Sequence, residues 1–100
     1  MKSKIKISPS TKRELRSLGN SIRQARLRRE LSQKLIAERA SISVDTLGRA
    51  EKGDPAVSAG AYAMVLQALG ILDGWGDIRD RLGDELMEEQ LRKRAPRESL

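Results

Sequence analysis

The stretch SQKLIAERASISVDTLGRAEKG, Ser32 to Gly53, constrains this chain more than any other. Ser32 and Ser43 each stand before a helix-compatible run. A serine hydroxyl there accepts from the free N–H groups of a first helical turn. Gly53, with Asp54-Pro55 behind it, is a stop signal. The stretch therefore predicts two short helices, one opening at Ser32 and one running from Ser43 to about Lys52. Only Ser41-Ile42-Ser43 is left for the turn between them, so the helices must cross. Leu35, Ile36, Ala37 and Ala40 supply the inner face of the first. Ile36, Ala37, Ile42 and Leu47 meet beneath the crossing, where Ala37 must be small to allow close approach.

The flanks read as helix too. Thr11 followed by Glu14 is a capping-box pattern, and Leu15, Leu18, Ile22 and Ala25 recur at helical spacing. A first helix is expected from near Thr11 to near Glu30. Ser58 caps a fourth, with Tyr62, Val65, Leu66 and Leu69 on one side and Gly70 as its stop. After the turn-rich GILDGWGD, a fifth is expected from Asp77 to about Lys93. Ile78, Leu82 and Leu86 are four apart there, Leu91 lies beyond, and Gly83 interrupts the run. Tyr62 and Trp75 are the only aromatics and there is no Phe, a palette that suits helices better than a sheet. The expected fold is all-α with five helices. Residues 1–9 form a flexible basic arm, in which Lys2, Lys4 and Lys6 alternate with Ser3, Ile5 and Ile7 up to Pro9. A short strand is the alternative there. Residues 10–72 form the main domain, 73–94 a helical extension and 95–100 a disordered tail.

Composition narrows function by exclusion. The chain has no cysteine and no histidine. Disulfides and thiolate metal sites are excluded, and the commonest general base and metal ligand is missing. The pairs Asp77/Asp80 and Asp84/Glu85/Glu88/Glu89 read as a solvated helix face rather than catalytic carboxylates. No enzyme activity, metal or cofactor is expected. No apolar run reaches the roughly 20 residues that span a bilayer, and MKSKIKISPS lacks the apolar core of a signal peptide, so a cytoplasmic location is expected. Charge is unevenly spread. Residues 1–52 carry fourteen Lys/Arg against five Asp/Glu, residues 53–90 two against eight, and residues 91–100 four against one. A basic half joined to an acidic one suggests a face for a polyanion and another surface for a different contact.

The stretch resembles the helix-turn-helix of the Cro and phage-repressor type, the XRE family, with its lambda-repressor-like fold. The residues that carry the resemblance are Ser32-Gln33, Ile36-Ala37, Ser41, Ile42-Ser43, Thr46-Leu47, Glu51 and Gly53, with Gly19, Ile22-Arg23, Arg26 and Leu31 upstream. It spans about Leu18 to Ile71. Two positions depart from the pattern: Ser41 replaces the usual turn glycine, and Gly48 stands where a serine is common. The resemblance implies that the helix after the turn enters the DNA major groove. Val44, Asp45, Gly48 and Arg49 share the outer face of that helix and are the expected base readers. Arg49 pairs with guanine or, alternatively, with a phosphate. Val44 meets a thymine methyl. Gln33, Ser43, Thr46, Arg23, Lys34 and Lys52 are the expected phosphate contacts, with Thr46 divided between phosphate and packing; Arg28, Arg29 and Arg39 are further cations of this kind. Arg26 and Glu51 are implied to form a structural salt bridge. Asp45, four residues before Arg49, is in the favourable order for a helical pair. It either orients Arg49, accepts from a cytosine amine or repels wrong sequences.

Such domains read a few base pairs each and pair on two-fold operators. A homodimer on double-stranded operator DNA is therefore expected, with Ile71, Leu72, Trp75, Ile78 and Leu82 as dimer or partner contacts. The region YAMVLQALGILD and the acidic-then-basic run after it resemble small regulators of the HipB type, encoded beside HipA-like kinases. That implies an autoregulating antitoxin, a repressor that also binds a HipA-like kinase toxin. A stand-alone phage-type or chromosomal repressor is the alternative.

Overall fold

The computed structural model describes residues 6–94 and is all-helical over them, with five helices and no strand. Residues 1–5 of the expected basic arm, 1–9, and the expected tail, 95–100, lie outside the described residues. The helices are α1 (Pro9–Arg28), α2 (Gln33–Arg39), α3 (Val44–Glu51), α4 (Ala59–Leu69) and α5 (Arg81–Arg94).

The first four helices start alike. Ser8, Ser32, Ser43 and Ser58 are extended, and each hydroxyl accepts from the backbone N–H three residues on. α1 thus begins a turn before the expected Thr11. Ser8 is the cap and Pro9 the first helical residue, where a missing N–H costs nothing and the ring presets φ. Pro9 opens the helix and does not end the arm; the Thr11–Glu14 pattern masks this simpler one. α5 departs the other way and begins at Arg81, not Asp77. The Asp80 carboxylate accepts from the Gly83 N–H at 2.9 Å and so sets its start. Gly83 consequently falls in the first turn, and α5 runs through it unbroken.

The four helices also end alike. At each end one N–H reaches back to the carbonyl five residues earlier: Leu31 to Arg26, Ile42 to Ala37, Asp54 to Arg49 and Ile71 to Leu66. The residue before each of those donors is left-handed: Glu30, Ser41, Gly53 and Gly70, with φ of 53°, 58°, 72° and 78°. This closure satisfies the last carbonyls and reverses the chain in two residues.

Ile22, Ile36, Leu47 and Val65, one from each of α1 to α4, are the largest fully buried side chains. Ala25, Ala37, Ala40, Ala50, Val57, Tyr62, Leu66 and Leu69 complete the core. Where α1 passes the end of α3 the two backbones nearly touch. A Cβ on Gly19 would lie 2.6 Å from both the Ala50 carbonyl oxygen and the Gly53 nitrogen, and one on Gly53 would lie 2.6 Å from the Arg16 nitrogen. Gly53 needs its glycine twice, for the turn and for this approach. α5 is different, since none of its residues is buried. No described helix is long and apolar enough to cross a membrane.

Candidate nucleic-acid interface

α2 and α3 form the expected pair, joined at Ala40–Ser43. A buried ion pair fixes α3 against α1 and α2. Arg26 Nε donates to Glu51 Oε2 at 2.6 Å, and Arg26 Nη2 to Oε1 at 3.1 Å. Arg26 Nη1 donates to the Leu31 carbonyl at 3.0 Å. Glu51 raises the Arg26 pKa chiefly through the hydrogen bond, against the opposing effect of burial. Gln33 Nε2 adds a third donor to Glu51, at 3.0 Å from Oε1. Gln33 is half-buried, with part of its amide turned to Glu51. One hydrogen of its amide is used on Glu51 and the other is left for an outside acceptor. Among the described residues no buried side-chain nitrogen or oxygen lacks a partner.

Asp45 and Arg49 are exposed on α3, and Val44 is 45% exposed. Gly48 is half-buried, with open space where a Cβ would stand. Ser43 donates to Thr46 Oγ1 at 2.8 Å while accepting from the Thr46 N–H at 3.0 Å. Both hydroxyls thus serve the start of α3. Arg23, Lys34 and Lys52 are exposed.

Arg49 is not held chiefly by Asp45, as the four-residue spacing suggests. Its Nη1 is 4.0 Å from Asp45 Oδ2, whereas its Nε donates to Asp54 Oδ2 at 2.9 Å. Asp54 is itself fixed: Oδ1 accepts from the Ala56 N–H at 2.8 Å, and its carbonyl accepts from the Tyr62 hydroxyl at 2.9 Å. The hydrogen bond from Arg49, then that from Ala56, holds the Asp54 carboxyl below its ordinary value, and Asp54 in turn raises Arg49. Burial, with a smaller contribution from the Asp54 charge, pushes the Tyr62 phenol up. Held by Nε, the guanidinium keeps its Nη1 and Nη2 ends for a bidentate acceptor. In the sequence Asp54 stands only as part of a helix stop. The signal that finds it is the glycine turn, which returns the residue after Gly53 alongside Arg49.

The expected partner-contact residues are distributed unevenly. Ile71, Trp75, Ile78 and Leu82 are exposed, Ile78 at 90%, while Leu72 packs against the core. Trp75 and Ile78 line a shallow apolar groove with Thr11, Glu14, Leu15 and Leu18 of α1. Leu86, Met87 and Leu91 add further exposed apolar surface along α5.

A family model described as a helix-turn-helix domain matches residues 17–80 of the chain. No curated protein and no solved structure matches it.

Proposed function

The chain belongs to the helix-turn-helix domain family, a DNA-binding fold, and from that premise we propose that it binds an operator sequence-specifically and represses transcription. The observation that carries this proposal is the outer face of α3. Val44, Asp45, Gly48 and Arg49 lie there outside the core, on a helix fixed from beneath by Arg26 and Glu51. An α-helix fits the major groove, where an arginine pairs bidentately with guanine O6 and N7. The Asp54–Arg49 contact supports that role, because it orders a long side chain before DNA arrives. Gln33, Ser43, Thr46, Arg23, Lys34 and Lys52 are assigned to the flanking phosphates, Gln33 through its second amide hydrogen.

The operator is read by a homodimer whose two α3 helices enter grooves about one turn apart. Ile71, Trp75, Ile78 and Leu82 are its contacts. The exposed apolar side chains of α5 favour a second reading beside repression: the extension also binds a protein. In the HipB-like form of the proposal that protein is a HipA-like kinase toxin, and the chain is an autoregulating antitoxin acting in the cytoplasm. A stand-alone repressor would use the same helix for dimerisation alone.

Footprinting on the DNA upstream of the chain's own gene tests the proposal. A protected, two-fold symmetric stretch is expected. Uniform cleavage at micromolar protein would overturn autoregulation.

A further inference from the structure

We propose that the first two turns of α1, together with the loop after α3, form an additional phosphate-binding surface for duplex DNA. It rests on the proposal that α3 enters the major groove. A shallow groove beside the end of α3 is lined by Lys12, Arg16, Arg49, Lys52, Asp54 and Pro55. Four cations share it with one carboxylate, and that carboxylate is taken by Arg49. Among the described residues, Lys12, Arg16 and Lys52 have no carboxylate within ion-pair distance. Three uncompensated cations along one groove repel each other and are stabilised by an anion placed between them.

The fold brings them together at one close approach. Gly53 meets the Leu15–Arg16 backbone and so sets α1 against the turn that follows α3. Lys12 and Arg16 are one helical turn apart, so both project on the same side of α1. Residues 9–16 precede the stretch matched by the family model, 17–80. The match therefore assigns no role to Lys12 or Arg16. A helix lying in the major groove has a phosphate backbone on each side. Arg49, on the reading face, also lines this groove, so the backbone flanking its base runs within reach of Lys12, Arg16 and Lys52. Such contacts add affinity and register, not sequence preference.

The experiment uses the full chain and a fluorescein-labelled duplex of about 20 base pairs of random sequence. Anisotropy titrations over a range of salt compare wild type, Lys12→Gln/Arg16→Gln, and Arg92→Gln/Lys93→Gln, which removes the same charge from α5. The α1 variant is expected to melt like wild type. Its slope of log affinity against log salt should be shallower by about 2, near 0.9 for each phosphate no longer neutralised. The α5 variant should keep the wild-type slope. Equal slopes for wild type and the α1 variant, or equally shallow slopes in both variants, would overturn the inference while leaving the DNA reading intact. A wild type that binds no duplex at any salt would overturn the DNA reading itself, and this inference with it.

Discussion

Glu51 holds three donors on two oxygens while almost wholly buried. Removing it leaves the Arg26 guanidinium charged inside the fold, which costs about 3–5 kcal/mol. Glu51→Ala should therefore lower the thermal midpoint by more than about 10 °C in a domain this small. A midpoint within about 2 °C of wild type would contradict the role given to the pair. The neighbouring polar pair is exposed and acts on orientation instead. Asp54 titrates below the ordinary aspartate value of about 3.9 because Arg49 donates to it. Because its folded pKa is depressed, its stabilising contribution is present above the unfolded pKa. It is lost as pH falls through the folded one. A carboxyl NMR titration should place Asp54 below about 3.9 in wild type, and Arg49→Ala should return it toward that value. An unchanged midpoint would mean that the Arg49–Asp54 bond is absent in solution. The sequence displays Asp45 as the partner of Arg49 because helical spacing is visible in a linear string. It hides Asp54 because that bond exists only once a left-handed turn folds the chain back.

At the scale of elements, starts are easier to read than stops. Serine caps at 32, 43 and 58 stand in the string as clearly as in the fold. The one displaced start among the first four helices, Ser8 for Thr11, comes from two cap patterns three residues apart. Stops at Gly53 and Gly70 announce themselves by residue type. Glu30 and Ser41 make the same left-handed turn without a glycine, so residue type announces neither, although the first helix is expected to end near Glu30 and the resembled pattern has a glycine at the position of Ser41. Holding a side chain in that region costs roughly 1 kcal/mol. Ser41→Gly should then raise stability by up to about 1 kcal/mol in urea denaturation, and a decrease would show that the serine is satisfied there. Gly19 behaves oppositely. Its Cβ would meet backbone atoms of α3 that have nowhere to go. Gly19→Ala should destabilise by more than about 2 kcal/mol, against the usual benefit of alanine in a helix. A stabilised variant would mean that α1 and α3 pack less closely than described.

At the scale of the molecule, the chain divides into a packed four-helix body and a helix that buries nothing of its own. The principal extents are 65 × 35 × 21 Å. The body is legible because its apolar positions repeat at helical spacing and meet in one core. The start of α5 is not. Ile78 continues the four-residue spacing, but it sits 90% exposed before the cap at Asp80. Trp75 shows no orientation in the sequence; it stands at the rim of a groove against α1. Light scattering at high micromolar concentration should give a dimer mass, reduced to monomer by Ile78→Ser/Leu82→Ser. A monomeric wild type would move the apolar side chains of α5 to another partner. The most direct test of the central claim, that α3 reads DNA through Arg49, is selection of bound duplexes from a random pool. Wild type should enrich one motif of two symmetric half-sites about ten base pairs apart. Arg49→Ala should lose the guanine preference at one position in each half-site, and bind that motif on the order of 10- to 100-fold more weakly. The same motif from both proteins, or no enrichment from wild type, would contradict it.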